Sequence, residues 1–393
     1  MIRAQSASLR IAFHLNFLDQ RIVPSVLLVD DDHAQFPMAT YTTIQSAVDA
    51  ASPGDTILVA KGTYPEQVTI PKGDNNLTIR SAVSGAAIIE APAVMTGTKA
   101  IVEVDGAQHV TIRGFTITGP SADVDFGIQV TNGGSATIRN NVITKIRNAT
   151  LSGVQTGIAI VIGGSNNATG TANIFNNVLT DYQKGGIIVA NAGSKASIEN
   201  NRIVGAGPTD IIAQNGIQIS DGAAARIEDN LITNNNYTGA DVTAAGIIVA
   251  DSSNVRIEEN RLDANQTGIL IEGTALAVRI IENRITNSIL DGISLDGANG
   301  VYVGDNISTG NGEDGIQIVD TTNATLTGNR LSKNGRDGLH VEGLSSNLKI
   351  RENRMWGNVR DDAFDDTVGT GTGGTANHWS RNFFVTSNRP GLR

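Results

Sequence analysis

The chain has 393 residues, a formal net charge of −10 and no cysteine. The missing cysteines exclude a disulfide framework and thiolate metal sites, and the acidic balance argues against a nucleic-acid partner, which needs clustered Lys and Arg. No apolar run reaches the length of a membrane span.

Residues 1–25 carry a short apolar run, Ile11 to Leu18, broken by His14 and Asn16, which makes a poor secretory signal. Leu18-Asp-Gln-Arg-Ile-Val-Pro-Ser25 resembles the Leu-Glu-x-Arg-x-x-Pro-Ser stretch near the start of many bacterial exported surface proteins. An export element and a disordered tail are both open readings. Residues 42–51 form the best helix candidate, with Ile44, Ala47, Val48 and Ala51 at helical spacing and Ser52-Pro53-Gly54 as a stop. Short β runs follow, such as Thr56-Ile-Leu-Val and Val110-Thr-Ile, separated by Gly and Asp/Asn turns.

From Gly127 onward one pattern recurs. Gly246, Gly268, Gly292, Gly315 and Gly338 each open an apolar strand, and they step by 22, 24, 23 and 23 residues. An asparagine precedes the third strand of each coil, from Asn141 to Asn353. A fixed period of this size predicts a stacked solenoid whose coils each contain three strands and three turns. Alternation sends Ile128 and Val130 inward and Gln129 outward. The asparagines are expected to form a structural ladder.

Thr43-Ile-Gln-x-Ala-Val-x-Ala-Ala-x-Pro-Gly-Asp-Thr-Ile-x-Val resembles the opening segment of pectate-lyase-like right-handed β-helix proteins. Asp365-Asp-Thr-x-Gly-x-Gly-x-Gly-Gly-Thr-Ala-Asn-His-Trp resembles the closing segment of many bacterial right-handed β-helix repeat proteins. The resemblance implies an all-β, right-handed parallel β-helix over residues 26–393. It would have about a dozen coils, a helix cap at about 42–51 and a capping segment at about 356–393, with Trp379, Phe383 and Phe384 plugging the last coil. It also implies that glycans are held on a sheet face beside long turns. The reactive motifs of pectate lyases, polygalacturonases, pectin methylesterases and alginate epimerases are absent or incomplete, so no specific enzyme family is matched.

Two constellations are candidate sites. Asp291, Asp314 and Asp337 each stand just before a first-strand glycine and should stack at about 4.8 Å per coil. Gln317 and His340 lie on the outward row beside them. Such a column can be a set of turn residues bonded to backbone amides, a cation site for calcium, or a catalytic pair assisted by His340. The second constellation follows the long turns 144–156, 205–215 and 233–245, which should stack into a wall. There Lys145, Arg147, Tyr182, Lys184, Asp210, Tyr237 and Asp241 face Gln129 and Gln218. This wall can be a solvated loop surface, a glycan-binding surface, or a lyase site in which Lys184 and Tyr182 exchange protons with a uronate.

The expected function is therefore binding or modification of a polysaccharide or cell-surface glycan, outside the cell or at its surface, by a monomer. If catalytic, it is a polysaccharide lyase or glycoside hydrolase on the first-strand face. The alternative is a non-catalytic surface or adhesion β-helix protein.

Overall fold

The computed structural model describes residues 24–121, 123–240 and 242–392. The export-like tail therefore lies outside the described residues except for Pro24 and Ser25, and so does Asp241. Thirty-eight short strands stack into three parallel sheets. Sheet 1 has 12 strands, from Val68–Pro71 to Ala363–Asp365, and holds the glycine-opened ones. Sheet 2 has 14 strands, from Val26–Val29 to His378–Ser380, and sheet 3 has 12, from Gly62–Pro65 to Arg354–Trp356. The coil count follows the largest sheet, about 14 rather than a dozen.

The register explains the repeat. On sheet 1, Ile247, Ile269, Ile293, Ile316 and Leu339 pair in sequence and are fully buried in the bore. Each such side chain stabilises by roughly 1.5–3 kcal/mol. The opening glycine is required by close approach of the next coil. A Cβ on Gly268 would lie 2.4 Å from the carbonyl oxygen of Gly292.

The asparagine ladder is continuous from Asn141 to Asn382. At a typical rung, the backbone N–H and Nδ2 of Asn260 both donate to Oδ1 of Asn283 at 3.0 Å, and Nδ2 also donates to the Ile227 carbonyl. A second ladder, not anticipated from the sequence, lines the third turn through Asn311, Asn334 and Asn358, with a separate stretch from Asn235 to Asn265.

The ends are closed as follows. The helix spans Ile44–Ala50, and Thr43 caps it. Its free Ile44 and Gln45 amides donate to Glu66 of the first coil, at 2.7 and 2.9 Å. At the other end the chain adds one more strand to sheets 1 and 2 before it closes. Trp379 and Phe384 are buried there, and Trp379 Nε1 donates to Asp365 Oδ2 at 2.8 Å. Phe383 corrects the expectation: it is 63% exposed, because only one of two adjacent residues on an extended backbone can face the bore.

Replacing a buried rung should cost more than replacing an exposed one. Asn306→Ala leaves the Asn283 and Asn329 rungs without their partner and should lower unfolding free energy by about 2–4 kcal/mol. Asn323→Ala, in the exposed row Asn299–Asn323–Asn347, should cost less than about 1 kcal/mol. Urea-unfolding midpoints of the two variants check the difference.

Candidate functional site

The outward row of sheet 1 is largely apolar in its middle coils: Val161 pairs with Ile188 and Ile248 with Leu270, followed in register by Ser294, Gln317 and His340. Gln218 sits between Ile188 and Ile248 in the same row. Beside this floor stand the long third turns. Two of them are extensions of sheet 3, since Arg202–Thr209 pairs with Leu231–Tyr237 past an irregularity between Val204 and Gly207. Floor and wall enclose an open groove of about 820 Å³. Its lining joins both predicted constellations: Lys184, Gln218 and Tyr237 from the wall, Asp291 and Gln317 from the column.

The aspartate column is a ladder. Oδ1 of Asp291 accepts the Asp314 amide, Oδ1 of Asp314 accepts the Asp337 amide, and Oδ1 of Asp337 accepts the Asp361 amide, each at 2.9 Å. The remaining oxygens differ. Arg336 forks onto Asp314 and Arg360 onto Asp337. His340 Nδ1 lies 3.1 Å from Asp314 Oδ2 and 3.3 Å from Asp337 Oδ2. Asp314, Asp337 and His340 are close enough to share a metal, but the oxygens expected to face calcium face guanidinium groups and amides instead. An arginine thus competes with calcium at Asp314 and Asp337, whereas at Asp291 Oδ2 faces Gln317. All three of Asp314, Asp337 and His340 are buried beneath the groove, with His340 packed edge-on to Phe364 at 4.6 Å. They do not line it, so the direct catalytic roles expected for them are corrected too.

Asp291 breaks the series. The residue that forks back onto the column is Arg336 for Asp314 and Arg360 for Asp337. The corresponding residue for Asp291 is Glu313. Asp291 therefore has no arginine of its own; the nearest is Arg336, bridged by Gln317. With its amide nitrogen facing the carboxylate, Gln317 donates to Asp291 Oδ2 at 3.1 Å and accepts from Arg336 Nη2 at 3.2 Å. Burial, then the charges of Asp314 and Glu313, push the Asp291 carboxyl up to about 7. For Asp314 burial acts the same way, but Arg336, His340 and the Asp337 amide outweigh it and hold the carboxyl below its ordinary value. One column thus contains two aspartates held by arginines and one acid poised near neutrality. Across the floor, burial and then Asp296 and Asp251 raise the Glu272 carboxyl.

The wall residues separate. Lys184 lines the groove; its Nζ donates to the Ala213 carbonyl at 3.0 Å, and burial lowers its pKa. Tyr237 and Gln218 also line it. Tyr182 is a correction: it is fully buried, its hydroxyl donates to Asn235 of the second ladder, and burial raises its pKa, so it exchanges no proton with a groove ligand. Arg147 is bound to Asp181 at 2.6 Å and to the carbonyls of Asn148 and Ala149, which fixes its own turn. Gln129 is buried under the 161–171 insertion, where Nε2 donates to the Gly163 carbonyl. Lys145 and Asp210 are exposed and stand outside the groove lining. The sequence reading missed Glu272 and Glu313. Aligning Leu290, Glu313, Arg336 and Arg360 as one repeat position would have exposed the second.

A solenoid of three-stranded parallel coils, capped by a helix and carrying a groove on one sheet, defines a parallel β-helix protein with a surface site. The profile of the family described as right handed beta helix region matches residues 99–275 and 238–389, and the chain belongs to that family. Among solved structures, the periplasmic alginate epimerase AlgG is similar at 15% identity over 88% of this chain and 83% of its own, with a TM-score of 0.58. The A-module of the Azotobacter vinelandii mannuronan C-5 epimerase AlgE4 gives 14%, 88%, 95% and 0.59. The lacto-N-biosidase from Eubacterium ramulus gives 10%, 82%, 65% and 0.55. At these identities the likeness is one of fold. Comparison with curated proteins returns no match.

The Asp291 carboxyl makes stability pH-dependent. Its folded pKa of about 7 exceeds the ordinary 3.8, so the folded chain holds a proton that the unfolded chain releases. That contribution is complete below about pH 4 and lost as pH rises through 7. Asp291→Asn should flatten the decline between pH 5 and pH 8. Glu313→Arg, which supplies the missing fork, should flatten it too. Urea-unfolding midpoints at the two pH values, read as wild type against variant, check both.

Proposed function

We propose that the sheet 1 groove binds a neutral polysaccharide outside the cytoplasm and hydrolyses it, with Asp291 as general acid. The observation that carries this reading is the groove-lining carboxyl without an arginine, its pKa pushed up to about 7. A general acid works best when its pKa lies near the working pH. A second carboxylate must then activate water or attack the sugar. Glu313, one coil along and next to the column, takes that role.

Charge selects among glycans. The described lining carries four carboxyl side chains, Glu272, Asp291, Asp296 and Glu313, against the single ammonium of Lys184. A polyuronate would meet like charge along this floor, and elimination from a uronate needs cations that neutralise its carboxylate. A neutral chain avoids both problems. Its hydroxyls can bond Glu272, Asp296 and Gln218, and its C–H faces can rest on Ile248 and Leu270. The structural neighbours are named as epimerases of alginate and mannuronan and as a lacto-N-biosidase, which supports carbohydrate as the ligand class while leaving the reaction to the groove's own residues.

The test is reducing-sugar release across a panel of neutral and acidic polysaccharides. A neutral polymer should be cleaved, with activity declining above about pH 7 as Asp291 loses its proton. Asp291→Asn should lower kcat by roughly 100-fold or more. A rise in ultraviolet absorbance on a uronate polymer, with no cleavage of neutral ones, would replace hydrolysis by elimination. Binding without turnover on any polymer would favour a non-catalytic surface protein.

A further inference from the structure

The loop that leads into the capping helix begins with three consecutive aspartates, Asp30, Asp31 and Asp32. Each has one oxygen on a backbone amide. Asp30 Oδ2 accepts from Gln35 and Phe36, Asp31 Oδ2 from Thr63 of the first coil, and Asp32 Oδ1 from Ala34. That leaves Asp30 Oδ1, Asp31 Oδ1 and Asp32 Oδ2 without such a bond. Ligand atoms of the three carboxylates lie within 4.8 Å of one another. Asp30 is fully buried, and its Oδ1 has no hydrogen-bond partner at all. Among the described residues no Lys, Arg or His forms an ion pair with any of the three.

Local turn formation accounts for the bonded oxygens. It does not account for the orphan. A buried carboxylate oxygen that meets neither water nor a donor is costly, and two further carboxylates beside it add repulsion. A hard divalent cation held among the three carboxylates offsets their repulsion and gives the buried orphan a partner. Calcium suits this place better than magnesium, because it accepts irregular oxygen sets completed by carbonyls and water, whereas magnesium demands near-octahedral geometry.

We propose that Asp30, Asp31 and Asp32 form a calcium site that locks the N-terminal end of the solenoid. The position gives the site its purpose. Asp30 also donates its amide to Tyr41, just before the helix. Asp31 is packed against Gly62, where an added Cβ would lie 2.4 Å from Oδ1. A cation bound there ties strand Val26–Val29, the loop to the helix, and the first coil into one unit.

Thermal unfolding of chelator-treated protein, with and without calcium chloride, tests the proposal, and isothermal titration with the same salt gives the affinity. Wild type should gain Tm saturably, with a Kd on the order of 10⁻⁴–10⁻³ M, as for extracellular modules. The double variant Asp31→Asn/Asp32→Asn keeps its amide acceptors, so it should fold with an unchanged or higher calcium-free Tm and lose the response. A control variant in the groove, Glu272→Gln/Asp296→Asn, should keep the response. No Tm shift in wild type, an undiminished shift in the Asp31/Asp32 variant, or loss of the shift in the groove variant would each overturn the site.

Discussion

Everything in this molecule depends on a bond that repeats from coil to coil. A turn amide and a side-chain Nδ2 both reach one oxygen in the next coil, and the next coil does the same. This fixes the stacking distance, and the stacking distance fixes the rest. It brings the backbones close enough that only glycine fits at the start of the sheet 1 strands in the coils from Gly127 to Gly338. It aligns inward isoleucines into a continuous bore. It also lines up whatever residue occupies any other repeat position, including charged ones. A row of aspartates at such spacing would repel itself, and the fold answers by placing an arginine one coil along.

The candidate site is the place where that answer is missing. Asp314 and Asp337 are each held by an arginine from the next coil, while Asp291 has Glu313 there and reaches a guanidinium only through Gln317. The same column therefore has two carboxylates tied down by arginines and a third left without one. The groove needs no special loop or strained residue to create its acid. A single change of sign in a repeated position is enough, because the neighbouring coils keep the backbone unaltered.

The fold was legible because its signal is a period, and a period survives variation at individual positions. The glycine steps, the Asn column and the helix before the first coils could be read directly, and the wall and column were correctly expected to lie beside one sheet. Individual side chains were harder. Tyr182 lies between the long turns 144–156 and 205–215 and so reads as part of an exposed wall, but its side chain is fully buried and its hydroxyl donates to Asn235 of the second ladder. Arg336 and Arg360 were passed over because their partners are 22 and 23 residues away, one coil distant. Phe383 and Phe384 look alike in sequence, and only the direction of the last strand separates them. The period marks the strands, whereas the site lies in a change of charge at one repeat position, from arginine at 336 and 360 to Glu313.

The two kinds of ladder run in opposite directions. Each asparagine donates forward to the next coil, whereas each aspartate accepts from it. The coils are therefore directional units, like bricks with a tongue on one side and a groove on the other. A whole coil can be inserted or lost between any two others, and every bond re-forms across the new seam. Only the two ends are fixed by their caps. Groove length can thus change in evolution by unit steps without renegotiating the core, and the position of the unpaired acid along the groove is set by counting coils.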